Sequence, residues 1–119
     1  MKYSPKVNYL LDIKERLAPL NMPVFFKLPN SQQEEPFIVV GSHSSTTDKT
    51  AQTGYVIEDT SQMIDIFLPA GNRQKAEDIE YRAVRLLGRN QRISSQMMMD
   101  NSIGREVYHI IIRINELIM

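Results

Sequence analysis

The sequence of 119 residues contains no cysteine. Disulfide bonds, thiolate metal sites and cysteine nucleophiles are therefore excluded. It also lacks an excess of either charge, because 14 lysines and arginines balance 14 aspartates and glutamates. Nucleic-acid-binding domains usually carry a positive excess that replaces counterions on the phosphates, so we do not expect sequence-specific binding of DNA or RNA. A net charge of zero repels other copies only weakly, which favours self-association.

Long apolar runs are also missing. No run approaches the roughly 20 residues that span a bilayer. Residues 1–5 lack the apolar core of a signal peptide. We therefore expect a soluble protein that is made in the cytoplasm and has no membrane partner.

The remaining pattern begins with two amphipathic helices. Apolar residues recur at helical spacing over Pro5–Leu17, after a serine suited to capping, and Pro19 ends this segment. A second helix is predicted over Arg73–Leu87, between Asn72 as the cap and Gly88 as the stop. Its apolar face consists of Ala76, Ile79, Ala83, Leu86 and Leu87.

Alternating apolar and polar residues predict the strands, which are bounded by turn-forming residues. They are expected at residues 23–28, 37–40, 55–68, 92–100 and 106–119. The sequence thus predicts a single α+β domain over residues 1–119, with the order α-β-β-β-α-β-β. We expect a mainly antiparallel sheet of four or five strands with both helices packed on one face.

Residues 44–54 are rich in serine and threonine and contain almost nothing to bury, which predicts a long exposed loop. Such a loop either connects strands or binds a partner. The residues proposed for partner binding are Ser45, Thr46, Thr47, Asp48, Lys49, Thr50, Gln52 and Thr53.

Few residues are candidates for catalysis. His43 and His109 are the only histidines, and neither accompanies a recognisable nucleophile motif, so a surface or interface role is favoured for both. Asp59 and Asp65 lie about 20 Å apart along one predicted strand and cannot share a metal ion there. We expect no enzyme activity, no catalytic residue, no metal site and no cofactor.

The two faces of the predicted sheet lead to the main functional expectation. Two helices can cover only one face, yet the strands carry apolar residues on both. Such a sheet predicts a second partner, most simply another copy of the chain. The predicted oligomer interface consists of Phe37, Val39, Val107, His109, Ile111 and Arg113.

The order of segments resembles the tail terminator, or tail-completion, proteins of long-tailed bacteriophages. The opening helix and strand are VNYLLDIKERLAPLNMPVFF, followed by the strand and polar loop EPFIVVGSHSSTTD. A strand then runs directly into a helix in QMIDIFLPAGNRQKAEDIEYRAVRLL, and the chain closes with REVYHIIIRINELIM. The resemblance covers essentially the whole chain.

This resemblance implies a structural virion protein. Such proteins form a hexameric ring at the end of the tail tube, stop its growth and dock the tail to the head connector. The implied partners are other copies of the chain, the tail tube protein and a head-closure or connector protein, in the neck of the virion. No reaction and no cofactor are implied.

Two other classes remain open. A head-closure or neck adaptor protein, which binds the portal side, has a similar size and composition. A small metal-dependent enzyme subunit, such as a nuclease that uses Asp59 or Asp65, is the third interpretation.

Overall fold

The computed structural model describes residues 4–30, 32–46, 58–88 and 92–118. Helix α1 spans Pro5–Leu17 and helix α2 spans Arg73–Leu87, as the sequence predicts. Each helix begins at a side-chain cap, which accepts a hydrogen bond from a free backbone N–H of the first turn. The Ser4 hydroxyl accepts from the Val7 N–H at 3.2 Å, and the Asn72 side chain accepts from the Lys75 N–H at 3.0 Å.

The two helices accompany one five-stranded sheet, with strand order β1-β2-β3-β5-β4. The strands are β1 (Val24–Phe25), β2 (Phe37–Thr46), β3 (Glu58–Pro69), β4 (Arg92–Asp100) and β5 (Val107–Ile118).

The predicted fold class needs two corrections. The sheet is mixed and not mainly antiparallel, because β1 runs parallel to β2 while the other neighbours are antiparallel. Parallel neighbours need a crossover connection and not a tight hairpin, and residues 26–36 provide it. The chain order also departs from the predicted one, because a short 3₁₀ helix, Ala18–Leu20, follows α1.

Both helices pack on the same side of the sheet, here called the helical face. Alternate residues of the central strands point to this side, where they meet the apolar stripes of α1 and α2. The resulting main core contains Tyr9, Ile13, Leu17, Leu20, Ile38, Val40, Ile64, Ile66, Leu68, Ala76, Ile79, Ala83, Leu87, Ile110, Ile112 and Ile114.

A β-bulge interrupts β2 between Val40 and His43, where the pairing with β3 shifts by one residue. The buried side chain of Gln62 lies opposite this bulge. Its amide nitrogen donates to the backbone carbonyls of Gly41 at 2.9 Å and Ser42 at 3.2 Å. The bulge therefore keeps hydrogen-bond partners although the regular ladder is broken there.

The opposite end of the sheet terminates in β4. This strand pairs with β5 along its whole length, without a register shift. In the part of the chain that the structure describes, no further strand lies beyond β4. Within the same part, no helix is both long and apolar enough to span a bilayer.

Candidate interaction surface

The side of the sheet opposite the helices, here called the outer face, is built from the alternate residues of the same strands. Strand register places Phe37, Phe67, His109 and Met98 in one row across β2, β3, β5 and β4. The adjacent row contains Val39, Asp65, Ile111 and Gln96. All six residues of the predicted oligomer interface lie on this face.

One half of the outer face is covered by the chain itself. Phe37, Val39, Phe67 and Val107 form a second core, against which Phe25 of β1 and Ile103 of the β4–β5 turn pack. Phe37, Val39 and Val107 are 1%, 5% and 0% exposed. In the isolated subunit these three predicted interface residues are therefore already buried, so a partner does not reach them directly.

Aromatic rings connect this second core to His109. The rings of Phe25 and Phe37 meet edge to face at 6.0 Å, and those of Phe37 and Phe67 stack at 4.9 Å. The Phe67 ring in turn stacks on the imidazole of His109, with 4.3 Å between centroids and 20° between planes. The position of the histidine ring is therefore fixed by packing as well as by hydrogen bonds.

His109 bridges two carboxylates. Its Nε2 lies 2.7 Å from Asp65 Oδ1 on β3, and its Nδ1 lies 2.7 Å from Asp100 Oδ2 at the end of β4. Only the imidazolium form can donate from both ring nitrogens. Burial lowers the pKa of His109, but the hydrogen bonds to Asp65 and Asp100 outweigh this effect and raise the pKa above its ordinary value.

Asp100 is held by the turn that follows it. Its Oδ1 accepts the Ser102 backbone N–H at 2.7 Å. This backbone hydrogen bond is the main reason that the pKa of Asp100 lies below its ordinary value, and His109 adds to the effect. The hydrogen-bonded side chains of His109, Asp65 and Asp100 thus join β3, β5 and the end of β4.

The chemistry open to His109 is limited by these contacts. Both ring nitrogens face carboxylates, so neither hydrogen-bonds a serine or threonine hydroxyl that it could activate. Ser42 and Ser102 line an adjacent cavity of about 580 Å³ together with Asp65 and His109. His109 thus connects β3 to the end of β4 through its two carboxylate partners, an arrangement here called the His109 clamp.

A second clamp closes the covered half of the face. Arg105, after the β4–β5 turn, donates through Nε to both carboxylate oxygens of Glu35 at 3.0 and 2.9 Å, and its Nη2 donates to the Gln33 carbonyl. The hydrogen bond from Arg105 lowers the pKa of Glu35. This pair ties the crossover segment, residues 26–36, to the opposite end of the sheet.

The other half of the outer face is open to solvent. Ile111 is partly buried and Arg113 is exposed. Phe26 and Leu28 line the cavity beside His109 and are 45% and 54% exposed, and Met98, the cross-strand neighbour of His109, is 37% exposed. Exposed apolar groups therefore lie next to the His109 cluster on the outer face.

The predicted partner-binding loop is only partly within the described residues. Ser45 and Thr46 belong to β2, where they pair with Thr60 and Asp59, so the strand extends further than predicted. The other six loop residues lie outside the described residues; they are Thr47, Asp48, Lys49, Thr50, Gln52 and Thr53.

His43 and Asp59 are the remaining candidates from the sequence. His43 is exposed on β2, and the side chain of Asp59 lies outside the described part of the chain. The basic residues of α2 face solvent, with local pairs such as Arg73 with Glu77 at 3.3 Å. Within the described ranges, no three histidine, aspartate or glutamate side chains are arranged to hold a metal ion.

Sequence reasoning missed a polar cluster beneath α1. Arg16 donates to both oxygens of the buried Glu116, at 2.5 and 3.2 Å, and Lys6 donates to Thr60 at 3.2 Å. The hydrogen bond that Arg16 donates to Glu116 raises the pKa of Arg16. Glu116 continues the alternation of Ile112 and Ile114, which is the sequence signal that places a carboxylate on the helical face.

Comparison with protein-family models, curated proteins and solved structures finds no match to this chain.

Proposed function

We propose that the protein is a non-catalytic assembly subunit that acts as a tail terminator of a long-tailed bacteriophage. In this role a ring of copies caps the tail tube, stops its growth and provides the surface that docks the head connector. The partners are other copies of the chain, the tail tube protein and a connector protein. The place of action is the neck of the virion.

The main support for the proposal is that the helices cover one face of the sheet, whereas the other face is only partly covered. On the helical face α1 and α2 cover the main core, whereas on the outer face Phe26, Leu28 and Met98 are exposed next to the His109 cluster. An exposed apolar patch with a polar rim is typical of a protein-binding surface. The clamp at His109 favours this role because a fixed surface loses little conformational entropy on binding.

The test measures tube length. Purified tail tube protein is polymerised with and without the protein, and tube lengths are measured by electron microscopy. We expect a narrow distribution of short tubes with the wild-type protein. Ile111→Asp, at the open half of the outer face, should fold and fail to limit length, because a carboxylate at a contact is desolvated without a partner.

Leu11→Asp is the matched control, since Leu11 is 44% exposed on α1, which belongs to the helical face. It should limit tube length as the wild type does. Tubes of unchanged length with the wild-type protein would contradict the proposal. Binding to a portal ring and not to tubes would instead support a head-closure adaptor.

A further inference from the structure

Among the residues that the structure describes, β4 is the outermost strand and no other strand pairs with its second edge. It runs for nine residues, Arg92–Asp100, and pairs on one side with β5 in continuous register. It contains no proline, no bulge and no lysine, and its interior, residues 93–99, carries no charge. Proteins usually protect an edge strand with a proline, a bulge or a charged residue, because its free N–H and C=O groups pair readily with another strand.

Both sides of this edge also expose large apolar groups. Met98 points to the outer face and is 37% exposed, and Met99 points to the helical face and is 46% exposed. A strand added along β4 would bury both residues in addition to pairing the backbone. The edge therefore favours an extended partner of matching length.

The charge pattern of β4 identifies that partner. Its charged residues are Arg92 at one end and Asp100 at the other. Two copies aligned antiparallel about Gln96 place each Arg92 opposite the Asp100 of the second copy. A shift of two residues, which keeps the faces matched, leaves all four charges without these partners.

We propose that β4 pairs with β4 of a second copy, antiparallel and centred on Gln96, to form a two-fold symmetric dimer with a continuous ten-stranded sheet. In this register Ile93 lies opposite Met99 of the second copy on the helical face. Ser94 lies opposite Met98 of the second copy on the outer face. Opposed residues of an antiparallel pair share a face, so Met99 packs on Ile93 and Met98 is covered beside Ser94 without a change in the subunit.

The symmetry makes this contact independent of the proposed ring. An isologous contact uses the same patch on both copies and closes at two subunits, whereas a ring needs two different patches. The dimer is thus a form of the free protein, and it does not rest on the function proposed above. Asp100 remains bonded to His109 and Ser102, because a carboxylate can accept several hydrogen bonds.

Cysteine cross-linking tests the register, since the native chain has no cysteine. Gln96→Cys places two thiols directly opposite each other on the two-fold axis, at a separation that a disulfide or a short bis-maleimide can bridge. We expect most of this variant to run as a covalent dimer. Ser94→Cys alone should remain uncross-linked, because its two copies lie about four residues apart along the strands, or roughly 13 Å.

A mixture provides the positive control for register. Ser94→Cys and Met98→Cys chains should cross-link with each other in the mixture, and neither should cross-link alone. Equal cross-linking of Gln96→Cys and Ser94→Cys would overturn the proposed register. If neither Gln96→Cys nor Ser94→Cys with Met98→Cys forms a cross-link, the proposed contact between the two β4 strands would be overturned.

Light scattering tests the dimer without a cysteine. We expect twice the monomer mass for the wild type over a concentration series. Ser95→Lys, which adds an edge charge near the centre, should give a monomer at the same concentration. Leu11→Lys, on the exposed side of α1, should remain dimeric. A wild-type monomer at every concentration would overturn the proposal, whatever the result of the tube assay.

Discussion

The two faces of the sheet are stabilised in different ways. On the helical face, two amphipathic helices bury a main core that contains 16 of the described residues. On the outer face, four of the described residues form a buried second core, and hydrogen-bonded clamps at His109 and Arg105 hold the segments around it. Apolar burial is non-directional and stabilises wherever elements meet, whereas the clamps act only in one geometry.

This difference assigns distinct roles to neighbouring residues. In β5 the side chains alternate, so Ile112 belongs to the main core while Ile111 belongs to the outer face. Substitution of a core residue on either face is expected to lower the free energy of unfolding strongly. Only substitutions in the open half of the outer face are expected to weaken assembly while leaving the subunit stable.

The largest effect is predicted for Val107→Asp. Val107 is 0% exposed in the second core, so the new carboxylate would be buried without a partner. We expect a loss of several kcal/mol in the free energy of unfolding, enough to prevent folding of a marginally stable domain. Circular dichroism and urea denaturation measure this. Ile111→Asp should remain folded, and a stable Val107→Asp protein would show that the second core is not part of the subunit.

A smaller effect is predicted for truncation of isoleucines in β5. Ile112→Ala removes a fully buried side chain from the main core and should cost about 2–5 kcal/mol. Ile111→Ala, one residue away on the outer face, should cost less than about 1.5 kcal/mol because Ile111 is only partly buried. The two urea midpoints give the comparison directly. Equal costs would mean that the outer face is as well packed as the helical face.

The His109 clamp predicts a dependence of stability on pH. The pKa of His109 is raised in the folded protein, so the folded state binds its proton more tightly than the unfolded state does. Its contribution should be complete below the unfolded pKa of about 6.5 and should be lost as pH rises through the raised pKa. Urea denaturation over a pH series measures the slope.

The control uses the other histidine. His109→Gln removes the titrating group and should abolish this component of the slope. His43→Gln, at an exposed position on β2, should keep it. The clamp would be rejected as the source of the slope if both variants retained the wild-type pH profile.

Local patterns made much of this fold predictable. Each helix is specified by its own cap and by apolar spacing within one segment, and both helices lie where the sequence places them. The parallel pairing of β1 could not be predicted in this way, because it depends on how residues 26–36 cross to the far end of the sheet. That path is set by distant contacts such as Arg105 with Glu35, 70 residues apart in the sequence.

The sequence predicts which residues share the outer face, but it does not predict which of them are covered or bonded to each other. Alternation places His109, Ile111 and Arg113 together, but it does not show that Phe25 and Ile103 cover Phe37, Val39 and Val107. The sequence signal for the His109 cluster is Asp65, and the sequence analysis did not use it. A lone carboxylate between Ile64 and Ile66 in a central strand needs a charged partner, and the β3–β5 register supplies His109.

The smallest effect on stability is predicted for the segment between β2 and β3. Replacing residues 47–53 with a short Gly-Ser turn removes Ala51 as its only apolar residue, and it leaves both strands of the described sheet intact. The free energy of unfolding, measured by urea denaturation, should therefore change by less than about 0.5 kcal/mol. If the hydroxyl-rich residues bind the exposed strand edges of a tube end, the variant should bind tail tubes poorly and allow them to overgrow.

Comparison with Ile111→Asp separates the two surfaces, because loss of capping by both variants would mean that the loop and the outer face each contact the partner. Normal tube lengths with the shortened loop would show that these residues only connect the strands.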